Sequence, residues 1–238
     1  MLRINFKHTL FSIFLSFNGF SALAQDNWEY IDRSKIVASD TTTRGKYTLV
    51  FVNMQPNFSE TVTNRLSEVF FEVYPKEAKL YNKNTTDSVF FVIDPGYDGV
   101  AAAAGRTIRF NPAWFDRNPG DVDVVTHEVM HLVQSYPGGA GPGWVTEGIA
   151  DYVRLTMGVD NKGAGWSVPD YKESQSYTNA YRITARFFYW MEKNVKKGLV
   201  KKLDNAMRTK TYSDSFWKDH TGKTIDELWS DYGKNPVI

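Results

Sequence analysis

The 238-residue chain contains no cysteine. Disulfides, Cys-ligated zinc, iron–sulfur clusters and thiol catalysis are therefore excluded, and any metal must be held by histidine and carboxylates. An excess of either charge is missing too, with 28 Lys and Arg against 27 Asp and Glu. Nucleic-acid or anionic-membrane binding leaves a cationic excess in a composition, so no nucleic-acid partner is expected. Repeats, low-complexity tracts and linker-like stretches are lacking, and 42% apolar with 23% charged residues describes a globular chain rather than a disordered or coiled-coil one. Aromatic residues are the one abundance. Together 7 Trp, 13 Tyr and 16 Phe make 15% of the chain, enough to build a large core or to line a groove for an extended polymer.

Residues 1–24 read as an export signal. Arg3, Lys7 and His8 form a basic start, Leu10 to Phe20 an apolar stretch, and Ala22-Leu23-Ala24 a small-x-small cleavage site before Gln25. The apolar stretch is interrupted by Ser16, Asn18 and Gly19 and falls short of the roughly 20 residues a membrane span needs. A secreted or periplasmic protein is expected, with no stable membrane insertion after signal removal. From Gln25 onward the chain carries 26 cationic and 27 anionic side chains, a net charge of −1. Nothing in the sequence specifies an oligomeric state.

Tyr47 to Val52 and Val89 to Ile93 are short apolar runs rich in β-branched and aromatic residues, which predicts two buried neighbouring strands. Val62, Leu66, Val69, Phe70 and Val73 recur between them at helical spacing, completing a β-α-β unit with a helix of about 16 residues. The alternation in Arg106-Thr107-Ile108-Arg109-Phe110 predicts a strand with one exposed face, at the sheet edge. From Asp121 the periodicity is helical. Tyr177, Tyr181, Thr184, Phe188 and Met191 predict one long helix, and Thr224 with Glu227 forms a capping box for the last. The fold class expected is α+β, with residues 25–238 as one domain: a mixed sheet over about 45–117, then a mainly helical part over about 121–238.

Two of the three histidines after the leader fall in His127-Glu128-Val129-Met130-His131, on a predicted helix with the apolar stripe Val122, Val125, Val129 and Val133. Four residues is about one turn, so both imidazoles project from one face and can hold a single zinc ion at roughly 2.0–2.1 Å. Asp121 and Asp123 fall at the helix start, where carboxylates cap free N–H groups. A third protein ligand is needed. The next predicted helix, Trp144 to Arg154, offers Glu147 and Asp151 one turn apart, one suited to ligation and the other to accepting an imidazole N–H; spacing leaves open which does which. Between the two helices, Pro137 to Gly143 supplies the breakers that let the chain reverse.

The pairing of His127-Glu-Val-Met-His131 with Trp144-Val-Thr-Glu147-Gly-Ile-Ala-Asp151-Tyr resembles the gluzincin zinc metallopeptidases. More narrowly, Asp98-Gly-Val-Ala101, Tyr181-x-x-Thr-Ala-Arg-Phe187 and Thr221-Gly-Lys-Thr-x-Asp-Glu-Leu-Trp229 are similar to the basic secretory protein family of plants and bacteria, over about residues 46–235. The resemblance implies a zincin-like metallopeptidase domain with one zinc per chain, Glu147 as third ligand and Asp151 as acceptor behind a ligand histidine. The net charge of −1 departs from the word basic in the family's name.

The chemistry that follows is metal-assisted amide hydrolysis of a peptide or protein substrate, with Glu128 as general base. The strand Thr107, Ile108, Arg109 and Phe110 would take the substrate backbone by β-augmentation. Tyr181, or failing it Tyr177 one turn earlier, would donate to the oxyanion. His220 is expected on the surface. Two other functions compete: a non-catalytic secreted protein binding polysaccharide or cell wall through its aromatic surface, which has no need of Glu128, and a zinc aminopeptidase, which needs an acidic subsite for a free amine.

Overall fold

The structure, a computed structural model, describes residues 28–238; the leader and its cleavage site lie outside the described residues. Five strands form a mixed sheet in the order β1-β2-β3-β5-β4. They are β1 (Ala38–Arg44), β2 (Tyr47–Asn53), β3 (Ser88–Ile93), β4 (Ala101–Ala104) and β5 (Thr107–Phe110). The β2–β3 and β3–β5 pairs are parallel, whereas β1 and β4 run antiparallel on the two flanks. Between β2 and β3 the chain crosses over through α1 (Glu60–Leu80), opened by Ser59, whose hydroxyl accepts from the Val62 N–H at 3.3 Å. Its apolar stripe, Val62, Leu66, Val69, Phe70 and Val73, is buried as the spacing predicts.

One expectation about the sheet is overturned. Strand β5 is not an edge but lies between β3 and β4, and all four of its residues are buried. Its alternation of polar and apolar residues has a different cause. The polar face is covered by the segment at 28–30: Arg109 donates to the carbonyls of Trp28 and Tyr30 and pairs with Asp94 at 2.6 Å, while Trp28 Nε1 donates to the Thr107 carbonyl at 3.1 Å. Thr107, Ile108, Arg109 and Phe110 therefore have no free backbone edge to offer a substrate. The edge on this side of the sheet belongs to β4, which folds back on β5 through a tight turn where Gly105 takes a φ of +59°. Four alanines carry little strand propensity by themselves, so pairing with β5 makes this strand.

The remaining helices are α2 (Pro112–Arg117), α3 (Val124–Gln134), α4 (Gly143–Met157), α5 (Tyr181–Asn194), α6 (Leu199–Arg208), α7 (Ser215–Thr221) and α8 (Ile225–Lys234). Residues from Leu49 on β2 to Tyr232 on α8 share one core. Many of the aromatic residues lie in or against it, and Trp144, Tyr177, Phe187, Trp190, Phe188, Trp217, Trp229 and Tyr232 form one contiguous cluster of mostly edge-to-face and tilted contacts. The capping box Thr224–Glu227 opens α8 as expected. The long helix expected through Tyr177 is broken: Tyr177–Asn179 is a 3-10 turn, Ala180 and Tyr181 take φ of +63° and +48°, and α5 begins only at Tyr181. His220 is half-buried, stacked on Phe216 at 4.3 Å rather than free on the surface.

Glu77 on α1 is fully buried, and neither carboxylate oxygen has a hydrogen-bond partner. Burial pushes its carboxyl well above the ordinary 4.5, with the nearby His127 offsetting part of the effect. A folded-state value above the unfolded one means that the group's contribution is fully present below about pH 4.5 and is lost as the pH rises toward the folded value. Glu77→Leu should therefore stabilise the protein at pH 8 by about 1–3 kcal/mol, the cost of an unsatisfied buried polar group, and by less at pH 5. Urea unfolding at the two pH values measures this; a Leu variant less stable at pH 8 contradicts it.

Candidate metal centre

Helix α3 is buried over almost its whole length, including Val125, Val129 and Val133 at zero exposure. Its start is not capped as the sequence suggests. Asp123 makes no side-chain cap; it accepts from the backbone N–H of Val159 at 2.7 Å and of Asp160 at 2.5 Å, and from Thr126 Oγ1 at 3.0 Å. Asp121 instead binds Arg154 and Trp114 Nε1. Both carboxylates are tertiary struts that tie the start of α3 to α4 and the loop after it. Ser135 ends the helix in the left-handed conformation, its N–H returning to the His131 carbonyl at 3.1 Å, and the chain reverses into α4.

This reversal brings His127, His131 and Glu147 together. Their ligand atoms are mutually close: His127 Nε2 to His131 Nε2 is 3.1 Å, and Glu147 Oε2 lies 3.3 Å from the first and 3.5 Å from the second. A tetrahedral ion with bonds of roughly 2.0–2.1 Å holds its ligands roughly 3.3–3.4 Å apart, so the spacing suits zinc.

The protonation pattern agrees with that fit. His127 Nδ1 meets Asp151 Oδ1 at 2.7 Å, and His131 Nδ1 meets Gln134 Oε1 at 2.8 Å. An ionised carboxylate and an amide oxygen can only accept, so both imidazoles carry a hydrogen on Nδ1 and turn Nε2 toward one point. Protons on Nε2 shared with Glu147 hold the three atoms together, and a bound metal ion would take the place of those protons. Burial alone would lower the His127 imidazole, but its hydrogen bonds to Asp151 and Glu147 prevail and raise it well above its ordinary value. Burial likewise opposes, and the Glu147 bond drives, an upward shift at His131. Glu147 is raised by burial yet pulled far below the usual carboxylate range by the two imidazoles.

Glu128 sits beside this cluster, 5% exposed, with Oε2 unpartnered. The cleft over it, about 650 Å³, is bordered by Tyr97, Ala101 to Ala103, Tyr136 and Tyr181. Tyr181 is 54% exposed and its ring lies parallel to that of His127, centroids 6.1 Å apart. Tyr177 is turned elsewhere, its hydroxyl donating to Asp226 at 2.8 Å and its ring packed on Trp144. It is excluded as the alternative to Tyr181, because the break at Ala180 and Tyr181 removes the helical register that would have placed it one turn away. Gly148 sets how closely α5 approaches: a Cβ there would run into Thr184 and meet Phe188 at 3.1 Å.

Gln134, bonded to His131, and Tyr97, Ala102 and Ala103, which border the cleft, are absent from the site residues expected from the sequence. Gln134 was detectable, since it lies three residues after His131 on the same helix face. It is buried and locked, its Nε2 donating to the Thr146 carbonyl at 2.9 Å, so it joins α3 to α4 as well as orienting His131. Gln134→Ala should weaken zinc affinity about 10- to 100-fold, as should Asp151→Asn. Competition with a chromogenic chelator reads these affinities; unchanged affinity in Gln134→Ala would remove its orienting role.

The model of the BSP family, described as peptidase of plants and bacteria, matches residues 33–232. No curated protein matches the chain significantly. Among solved structures, an M1 zinc metallopeptidase from Deinococcus radiodurans is similar at 12% identity and a TM-score of 0.52, covering 84% of this chain and 51% of that one. An aminopeptidase N family protein from Idiomarina loihiensis is similar at 12% identity and a TM-score of 0.52, covering 82% and 46%. The chain thus spans about half the length of these structures, and the likeness is one of fold: a zincin-like α+β arrangement. With the family model covering most of its length, the chain belongs to the BSP peptidase family of plants and bacteria.

Proposed function

We propose that the protein is an exported zinc-dependent endopeptidase, with zinc held by His127, His131 and Glu147. The observation that carries the reading is the convergence of those three ligand atoms beside an unpartnered buried carboxylate. Zinc, when bound, supplies a Lewis acid that polarises the scissile carbonyl and acidifies water. Glu128 takes the proton from the attacking water at Oε2 and delivers it to the leaving amine. Burial raises its carboxyl above the ordinary value, with His127 and His131 drawing it partly back, which moves it toward the neutral range where a general base is most effective. Tyr181 donates its hydroxyl to the oxyanion. Burial and then the charges of Glu147 and Glu128 raise that hydroxyl, so it keeps its proton in neutral solution, as a donor must.

The substrate backbone adds to the open edge of β4. Ala101, Ala102 and Ala103 border the cleft, and side chains this small let an extended peptide approach the strand closely. An aminopeptidase would anchor the free amine on a carboxylate. Among the described residues, the carboxylates bordering the cleft and its extension are Glu128, Glu147, Asp121 and Asp151, all committed to the roles above, which favours internal cleavage. A polysaccharide-binding module has no use for Glu128 in its position between the ligands. Export rests on the basic start and Ala22-Leu23-Ala24; among the described residues no helix is long and apolar enough to cross a membrane.

Glu128→Gln preserves side-chain shape and removes the proton acceptor. Zinc content and thermal stability should match the parent while hydrolysis of a peptide mixture falls about 10²–10⁴-fold. Tyr181→Phe should lower kcat about 10²–10³-fold at unchanged zinc content. Unchanged turnover in Glu128→Gln, measured with zinc stoichiometry on the same sample, contradicts the mechanism.

A further inference from the structure

The cleft continues past the metal centre into a second cavity of about 760 Å³. Tyr97, Ala101, His127, Glu128 and Tyr181 border both halves; beyond them the walls are Trp114 and Trp166. Beyond Glu128, the charges at its floor already pair with one another. Asp121 accepts from Trp114 Nε1 at 2.9 Å and from the Arg154 guanidinium, Arg154 Nε donates to Asn161 Oδ1 at 3.1 Å, and Trp166 covers that guanidinium at 4.5 Å. Arg182 stands at the exposed rim with a single 3.4 Å contact to the Ser167 carbonyl.

An anionic side chain entering this cavity would give up its hydration and find Arg154 already paired, and the one unpartnered carboxylate on its border, Glu128, faces the metal half and is held for the attacking water. Pairing with Arg182 at the solvated rim would return little, about 0–1 kcal/mol. A flat aromatic ring would meet the indole and phenol rings of Trp114, Trp166, Tyr97 and Tyr181, where edge-to-face and offset contacts add to burial. Direction follows from β4. Ala101 borders both halves, whereas Ala102 and Ala103 border only the metal half. An antiparallel partner, the more stable pairing, runs against β4 and so passes the metal half first and leaves toward Trp114 and Trp166.

We propose that this cavity receives the side chain of the substrate residue immediately after the cleaved bond and selects a large aromatic one, Phe, Tyr or Trp. The proposal rests on the peptidase reading above. Trp166 and Trp114 set the specificity, and neither takes part in the bond chemistry.

Peptides blocked at both ends and differing only in the residue after the cut test it. With the zinc-loaded full chain, kcat/KM for Phe should exceed that for Ala by at least tenfold, a typical return for an apolar pocket, and exceed that for Asp by more. Trp166→Ala should shrink the Phe-to-Ala ratio by about tenfold, and Trp166→Phe should restore most of it. Calorimetric binding of the same peptides to Glu128→Gln should give the same order of affinity without turnover. Cleavage or binding indifferent to that residue, a preference for an aromatic before the cut, or a ratio unmoved by Trp166→Ala would overturn the cavity assignment alone. Preferential binding of the Phe peptide by a zinc-loaded chain that cleaves no peptide would overturn the peptidase reading and leave the cavity assignment standing.

Discussion

The hydrogen bond between His127 Nδ1 and Asp151 is the contact on which the rest of the site depends. It joins α3 to α4 deep in the core, where both partners are at least nine-tenths buried. The same bond places a hydrogen on Nδ1 and turns Nε2 toward Glu147 and His131, where it can ligate a metal ion. Gln134 repeats the device for His131, from the same helix and with its own tie to α4. Each of the two histidines is therefore oriented by a group that also fastens the two helices, so imidazole orientation and helix packing cannot vary independently. The Asp121–Arg154 pair and the Asp123 bonds to the loop at 159–160 anchor the same helices at their other end.

Much of this was legible in the sequence because it is periodic. Histidines four apart on a helix with a Val stripe, and an acid pair one turn apart on the next, depend only on helical geometry, and the structure brings His127, His131, Glu147 and Asp151 into one cluster. The buried β2 and β3 and the crossover helix α1 were equally visible in their apolar spacing. Features set by long-range contacts were not. Arg109 looked like a solvent-facing residue because nothing local shows that Trp28 and Tyr30 cover it. Strand β4 was hidden in a run of alanines that becomes a strand only by pairing. Tyr177 and Tyr181 share an apparent helical spacing, yet Ala180 and Tyr181 itself take positive φ, and no periodicity predicts such a break.

That break has a consequence for the chemistry. Non-glycine residues in the left-handed region are uncommon and cost about 1–3 kcal/mol when the surroundings enforce them. Here the surroundings are identifiable: Thr184 Oγ1 donates to the Tyr177 carbonyl at 2.6 Å, and Gly148 lets α5 settle against α4. The outcome is a phenol standing over His127 at the mouth of the cleft. The aromatic abundance divides accordingly, most of it forming the core that holds α5 against its neighbours and a few rings, Tyr97, Tyr181, Trp114 and Trp166, facing the cleft.

The central claim is that His127, His131 and Glu147 hold one zinc ion, with Asp151 behind His127. Diffraction from crystals of the zinc-loaded protein, with anomalous data on both sides of the zinc absorption edge, tests it most directly. The account predicts one strong anomalous peak per chain, roughly 2.0–2.2 Å from Nε2 of both histidines and from a Glu147 oxygen, with Asp151 out of contact with the ion. A peak bonded to Asp151 in place of Glu147, or zinc bound elsewhere with this cluster left empty, would contradict it.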